Sequence, residues 1–386
     1  MNLEPEQERL LKGEEGRAMA KAMETVVRYG EAFGAKRLVP ITSGHLAGTF
    51  GIGPYRAYIH ILQQIVAEGL KVRVPTTVNP RPGYDLNFLN RHLAFPNQET
   101  LENLLSAIGI TPNYSCVCYE KANVPSFGNN LAWAESSAVQ FANSILGART
   151  NRNSILMDVC CAITGHTPEF GYLLDEHRRG HMLVKLDVRK MDAPALGYLL
   201  GEKVVDKVPV IEHYPFSRIE LKNMGGAMAA SGGVALFHVE GLTPEAPDMK
   251  SVFDGPPKTT ITVTQQDLDS LRERNPKAPD MVVFGCPQMT CEEALPMAEK
   301  FAGKKARIPA WFCMVPDELA AFRTHALYGK VLDAGVTLTE YCPLAALSLR
   351  LGKKRIMTSS GKLLYYLKGA EYGTEDDCLR ACGVAV

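Results

Sequence analysis

The feature that most constrains the fold is an alternation. Short β-branched runs, Arg37 to Ile41 and Lys71 to Val78, alternate with segments of helical spacing, Tyr55 to Ala67 and Glu99 to Ile108. The pattern returns past about residue 200, where VPVIEHY, GGVALFHVE, DMVVFGCP, PAWFCMVP, LTEYCP and RIMTSSGK read as strand-like ends. Strands separated by helices lie parallel to one another, so this order predicts an α/β fold with mostly parallel sheets and crossover helices. Thr264 with Asp267 and Thr290 with Glu293 have the spacing of helix-start boxes. Ahead of the alternation, Leu10, Leu11, Met19, Met23, Val26, Val27 and Tyr29 recur at helical spacing, and Pro5 to about Phe33 reads as one amphipathic helix. The Pro-rich stretch from Thr243 to Lys258 reads as a surface connection.

Composition excludes several classes. The chain has 386 residues, 46% hydrophobic and 22% charged, which suits a globular enzyme of two or three domains rather than a disordered or coiled-coil protein. Lys plus Arg and Asp plus Glu both number 42, so the basic excess of a sequence-independent nucleic-acid binder is missing. No apolar run approaches the roughly 20 residues needed to span a bilayer. The N-terminal MNLEPEQERLLKGEEGR is too charged for a signal peptide, and a cytoplasmic location is expected.

Ten cysteines then become informative, because a reducing compartment leaves them unpaired. No C-x-x-C pair occurs, so any metal ligands must come from separate loops. Cys286 and Cys342 each follow an apolar run and precede a proline. Proline favours the first position of a helix, which would put each thiol at a strand's carboxyl end near a helix start, where open α/β sheets form their ligand crevices and thiolates are stabilised. Cys116, in the polar NYSCVCY loop, is the third candidate; Cys118 and Cys291 stay undecided. Cys160, Cys161 and Cys313 read as packing, and Cys378 and Cys382 as part of a tail helix. His177 and His181 stand four apart without the H-E-x-x-H glutamate, and no zinc is expected there.

Three thiolates on a four-iron cluster leave one iron open to act as a Lewis acid on a hydroxyl and a carboxylate, the chemistry that removal of water from a 3-hydroxy acid needs. Polar loops after strands supply further candidates. TSGHLAGTFGIG at 42–53, TTVNPRPGYD at 76–85 and TSSGK at 358–362 fit anion-holding positions, the last offering Ser359, Ser360 and Lys362. Arg149 and Arg152 in GARTNR could clamp a carboxylate or phosphate. Glu135 is a charge within an otherwise apolar and small segment, AWAESSAV, and a functional role is expected for it. The segment from Pro112 to Arg152 as a whole, small and amide-rich, suits a lining better than a core.

Taken together, SGHLAGTFG, VNPRPGYD, SCVCYEKANVPSFGNNLAWAESSAVQFANSILGARTNR, FGCPQ, EYCP and TSSGK resemble the aconitase X family, a divergent branch of the aconitase superfamily, over essentially the whole chain. The resemblance implies an aconitase-like multi-domain fold with its active site in a cleft between domains. We divide the chain at 1–205, with the substrate loops and Cys116, and 206–386, with Cys286, Cys342 and TSSGK. The family has a fused form, resembling cis-3-hydroxy-L-proline dehydratases, and a split form whose small swivelling domain is a separate subunit; this chain looks like the large subunit of the latter. The resemblance thus implies a hydro-lyase that dehydrates (R)-5-phosphomevalonate to trans-anhydromevalonate 5-phosphate, with a small-subunit partner. It implies a [4Fe-4S] cluster on Cys116, Cys286 and Cys342, which oxygen could convert to [3Fe-4S]. It points to Gly48, Thr49, Asn79, Glu135 and Ser136 as substrate contacts, with Ser359 and Ser360 near the reacting carbons; Arg81, Arg149, Arg152 and Lys362 join the substrate-binding candidates. A TSSGK serine is the expected base, by analogy with aconitase, and Glu135 the alternative. Relatives often read Cys-Pro-His where this chain has Cys286, Pro287 and Gln288, so a role for that histidine does not transfer. A cis-3-hydroxy-L-proline dehydratase and a non-catalytic iron–sulfur redox sensor are the competing readings.

Overall fold

The computed structural model describes residues 1–83, 86–273, 278–348 and 354–384. Tyr84 and Asp85, the end of the TTVNPRPGYD loop, lie outside the described residues. The expected single N-terminal helix is two, α1 (Pro5–Lys12) and α2 (Arg17–Ala32). Between them Gly13 and Gly16 take φ of 84° and 100°, a left-handed turn that hydrophobic spacing does not register. The α2 stripe of Met19, Met23, Val26 and Val27 is buried as its periodicity requires.

The first region follows. Strand β1 (Leu38–Pro40) pairs antiparallel with β5 (His166–Pro168). Strands β2 (Ser43–Leu46), β3 (Thr76–Val78) and β4 (Leu131–Trp133) form a parallel sheet in the order β3-β2-β4. Helices α3 (Arg56–Ala67) and α4 (Gln98–Ala107) make the crossovers, and α5 (Ser136–Ser144) and α6 (Ile155–Thr164) follow β4. The segment around β4 and α5 is more core than lining: every residue of α5 is buried, and Tyr119 and Trp133 are fully enclosed. Its polar groups are satisfied internally, as where Asn143 Nδ2 donates to the Thr150 and Ala235 carbonyls at 3.0 Å.

Strands β6 (Met182–Asp187), β7 (Pro209–Ile211), β8 (His238–Val239) and β9 (Thr260–Thr264) form a second parallel sheet, ordered β8-β7-β6-β9. Its helices are α7 (Ala193–Val204), α8 (Arg218–Gly232), α9 (Met249–Val252) and α10 (Gln265–Glu273). The Thr243 to Lys258 connection carries α9, whose Val252 is buried with Phe253 against Val210.

The third sheet is parallel throughout: β10 (Met281–Met289), β11 (Ala310–Met314), β12 (Val336–Thr339), β13 (Ile356–Thr358) and β14 (Ala370–Tyr372), ordered β12-β11-β10-β13-β14. Around it lie α11 (Cys291–Phe301), α12 (Pro316–Phe322), α13 (Leu327–Asp333), α14 (Pro343–Ser348), α15 (Gly361–Tyr366) and α16 (Glu375–Ala381). Both expected helix-start boxes form, Thr264 with Asp267 and Thr290 with Glu293. Cys313, Cys378 and Cys382 are core residues of this region, and Cys160 and Cys161 of the first.

Helix α8 joins the regions. A capping box of Ser217 and Glu220 starts it, a device worth about 1 kcal/mol. Its interior Gly226 costs helix propensity, yet a Cβ there would sit 2.9 Å from Pro287 Cγ. The glycine is what lets α8 lie directly against the Cys286–Pro287 segment. No helix among the described residues is long and apolar enough to cross a membrane.

Candidate active site

Two sheets bring their carboxyl edges to one place, the location where parallel sheets build ligand crevices. From the first sheet, the chain leaving β2 carries Gly48 and Thr49, that leaving β3 carries Asn79 and Arg81, and that leaving β4 carries Glu135 and Ser136. From the third, β10 carries Cys286, the turn after β12 carries Cys342, the turn after β13 carries Ser359 and Ser360, and the first turn of α15 carries Lys362.

One buried ion pair spans the two edges. Lys362 Nζ binds Glu135 Oε1 and also donates to Ser137 Oγ at 3.0 Å. Burial opposes ionisation of Glu135, but the Lys362 ammonium, helped by the Ser137 N–H, holds its carboxyl below the ordinary range. Burial likewise opposes the charge on Lys362, and Glu135 together with the neighbouring thiols pushes its pKa up. Glu135 is therefore a carboxylate and Lys362 an ammonium, and the hydroxyls of Ser136 and Ser137 lie 3.4 and 3.3 Å from Glu135 Oε1.

The thiols of Cys116, Cys286 and Cys342 feel one another's charge and that of Lys362 and Glu135. Burial pushes all three up, Cys116 to about 11, against the pull of Lys362. Cys342 meets the sequence expectation: Pro343 is the first residue of α14, and backbone N–H groups of Leu344 and Ala345 reach the sulfur. Cys286 departs from it. Its bond to Pro287 is cis, and Pro287 continues β10 to Met289 instead of opening a helix; α11 starts at Cys291. Among the described residues no three His, Cys, Asp or Glu side chains are close enough to grip one metal ion. The three thiols, Cys286 on β10 and the other two on separate loops within electrostatic reach of the Lys362 ammonium, are soft donors of the kind that hold iron–sulfur groups.

Other expected residues take different places. Thr49 Oγ1 donates to Asn79 Oδ1 at 2.8 Å and to the Pro80 carbonyl at 3.0 Å, fixing the two loops together. Gly48 has no room for a side chain, since its Cβ would lie 2.5 Å from Ile155. Arg81 grips Glu102 with two nitrogens at 3.0 Å, while its carbonyl accepts the Cys342 N–H at 2.8 Å. Arg149 is engaged by the Leu173 carbonyl and Asp175, and Arg152 by the Ala229 carbonyl at 3.2 Å; these two do not join the hydrogen-bonded group around Glu135. Ser360 caps α15, accepting from Leu363 N–H at 2.9 Å and donating to the Cys286 carbonyl. Cys286, Ser359 and Ser360 line a cavity of about 240 Å³ that also holds Glu292, Glu293 and Glu375. Cys118 is buried against Thr77, and Cys291 Sγ donates to the Glu318 carbonyl at 3.1 Å.

The sequence reading missed Ser137 and the role of His45. His45 is fully buried, with Nδ1 2.8 Å from Thr77 Oγ1 and no partner for Nε2 among the described residues. Burial lowers its pKa to about 4, so the ring is neutral, and Glu135 and Lys362 both act on it. The pairing of Glu135 with two serines in sequence was a usable signal for Ser137; His45 sits in the TSGHLAGTFGIG loop already singled out, but its burial was not marked there.

Comparisons with known proteins bear on the family and the fold. The chain matches the aconitase X first domain over residues 1–176, the second domain over 180–273 and the third over 279–383. It is 36% identical to the phosphomevalonate dehydratase large subunit of Thermococcus kodakarensis, over 98% of this chain and 97% of that one. It is 33% identical to the cis-3-hydroxy-L-proline dehydratase of Pseudomonas aeruginosa, over 93% of this chain but 65% of that protein. The crystal structure of Thermococcus kodakaraensis aconitase X in its holo-form superposes with a TM-score of 0.90 at 33% identity, covering 100% of both chains. The chain belongs to the aconitase X family.

Proposed function

We propose that the chain is the large subunit of a phosphomevalonate dehydratase, a cytoplasmic hydro-lyase that converts (R)-5-phosphomevalonate to trans-anhydromevalonate 5-phosphate on the mevalonate route to isoprenoids. What supports this reading is the nearly end-to-end match to phosphomevalonate dehydratase large subunits, together with three thiols, Cys116, Cys286 and Cys342, lying close enough to the Glu135–Lys362 pair to feel its charge. The thiols would hold a [4Fe-4S] cluster. When bound, that cluster supplies a Lewis acid for the C3 hydroxyl and the substrate carboxylate. Large-subunit relatives are covered almost end to end, which favours this substrate over hydroxyproline. Their name implies a small subunit, which we take to bring the swivelling domain that closes the cleft.

Loss of water from a 3-hydroxy acid breaks the C2–H and C3–O bonds. The base must reach C2, and we assign it to Ser359, which stands in the turn after β13 beside Ser360, whose hydroxyl meets the Cys286 carbonyl. The Ser360 hydroxyl is already committed to Leu363 and Cys286, so it positions the turn. Glu135, held ionised by Lys362, is a weak base but keeps the ammonium in place beside the thiols. Lys362 then stabilises negative charge on the serine oxygen and on the developing enolate. Thr49 and Asn79, locked together, offer a rigid polar wall for the rest of the substrate.

The test is an anaerobic assay of the chain, co-expressed with a candidate small subunit and reconstituted with iron, following (R)-5-phosphomevalonate by phosphorus NMR. We expect a new alkene phosphate signal that requires both subunits and iron. Unchanged substrate in a complex with a bound cluster would sink the substrate assignment and move the reading to cis-3-hydroxy-L-proline; a chain that takes up no cluster would sink the cysteine assignment.

A further inference from the structure

We propose that Gln288 is a positioning residue that sets the spacing of the Cys116 and Cys342 thiols, an inference that rests on reading those cysteines as cluster ligands. Its side chain is 1% exposed and reaches in two directions. Oε1 accepts the Cys116 N–H at 3.3 Å, and Nε2 donates to the Glu340 carbonyl at 2.8 Å, two residues before Cys342. The Gln288 backbone N–H also points at Cys116 Sγ, 3.3 Å away. Cys286 is two residues upstream in the same strand. One residue is thus tied to the backbone and sulfur of the first thiol, follows the second, and holds the loop of the third.

Gln288 is itself anchored. Lys222 Nζ donates to its carbonyl at 3.1 Å and pairs with Glu293, the residue that closes the cap of α11. The preceding Pro287 rests on Gly226 of α8. Other contacts bind the cysteine loops to the first sheet: Cys342 N–H to the Arg81 carbonyl at 2.8 Å and Ser115 N–H to the Val78 carbonyl at 3.0 Å. The amide of Gln288 is what connects the Cys116 loop with the Cys342 loop directly.

A glutamine amide presents one acceptor and one donor side by side, and both are used. A neutral histidine also presents one acceptor and one donor on its two ring nitrogens. An ionised glutamate presents only acceptors and would set a carboxylate oxygen against the Glu340 carbonyl. Asparagine keeps the amide but is one methylene shorter and does not span both partners. Partners that orient metal ligands from behind are worth about 10–100-fold in metal affinity, and hydrogen bonds near cluster sulfurs tune the potential.

The experiment compares wild type with Gln288→Asn, Gln288→Glu and Gln288→His in the reconstituted two-subunit complex. It reads the rate of iron release to a chelator, the reduction potential, and the melting of the apo chain. We expect Asn and Glu variants to release iron about 10–100-fold faster with a shifted potential, and the His variant to stay near wild type. Asn and Glu variants that melt as wild type yet release iron at the wild-type rate, with an unchanged potential, would overturn the role of Gln288 alone. A wild-type chain that takes up no cluster would overturn the ligand reading and this inference with it.

Discussion

The first and third sheets share a plan and differ in what they leave at their carboxyl edges. Both are parallel, and both end in polar loops that meet at the site. On the first sheet several polar side chains are spent on one another: Thr49 on Asn79, His45 on Thr77, Arg81 on Glu102. On the third sheet, Cys286 and Cys342 remain half-buried thiols, and Ser359 and Cys286 line an open cavity. The first edge supplies this wall together with Cys116 and Glu135; the third supplies Cys286, Cys342, the TSSGK serines and Lys362. A rigid wall opposite reactive groups fixes substrate without ordering at the moment of reaction, which is how positioning lowers a barrier. The two edges must then be held in register, and the Glu135–Lys362 pair is a side-chain link that does so.

Breaking that link gives the largest effect. Replacing Lys362 with Met leaves Glu135 charged and enclosed, and loss of one partner of a buried pair costs about 3–5 kcal/mol. We expect the urea midpoint of the apo chain to fall accordingly, and the double variant with Glu135→Gln to recover most of the loss while turnover stays absent. A single variant that melts within about 1 kcal/mol of wild type would mean that the edges are held by packing instead.

The wall should also be sensitive to acid in a way the third edge is not. Burial depresses the His45 pKa in the fold from 6.5 to about 4. The unfolded chain therefore binds a proton that the native chain refuses. Stability from this residue is complete above pH 6.5 and is lost as pH falls towards 4, by about 3 kcal/mol in total. The check is the difference in unfolding free energy between wild type and His45→Gln, measured from pH 7 to pH 4.5. The wild-type curve should fall more steeply, and parallel curves would show that His45 is not titrating.

How much of this was legible depended on distance along the chain. The β/α order, the two helix-start boxes and the Cys342–Pro343 turn are local patterns, and local patterns survive in sequence. Cys286 misled because Pro287 continues β10 to Met289 instead of opening a helix, and α11 starts only at Cys291. The split between α1 and α2 was hidden because apolar spacing continues across a turn that two glycines make. The expected clamp of Arg149 is drawn to Asp175, a surface carboxylate 26 residues away. Glu135 with Lys362 and Cys116 with Gln288 are contacts across 227 and 172 residues, set only when two sheets meet. Glu135, Lys362 and Cys116 could be nominated from their loops, but their partners across the chain could not.

The smallest predicted effect separates two adjacent serines. Ser360 is the cap of α15: its oxygen accepts from Leu363 N–H at 2.9 Å while its hydrogen goes to the Cys286 carbonyl. Alanine there removes both, and loss of an N-cap costs about 1 kcal/mol. Ser359 lies one residue earlier and contributes to the cavity rather than to the cap. Its alanine variant should melt within a few tenths of a kcal/mol of wild type while losing turnover, as a missing general base costs about 10²–10⁴-fold. Melting and turnover measured on both variants thus give opposite orders if Ser359 is the base and Ser360 the support. If Ser360→Ala melts as wild type but alone abolishes turnover, the roles are exchanged, and the third edge presents its reactive hydroxyl from the cap itself.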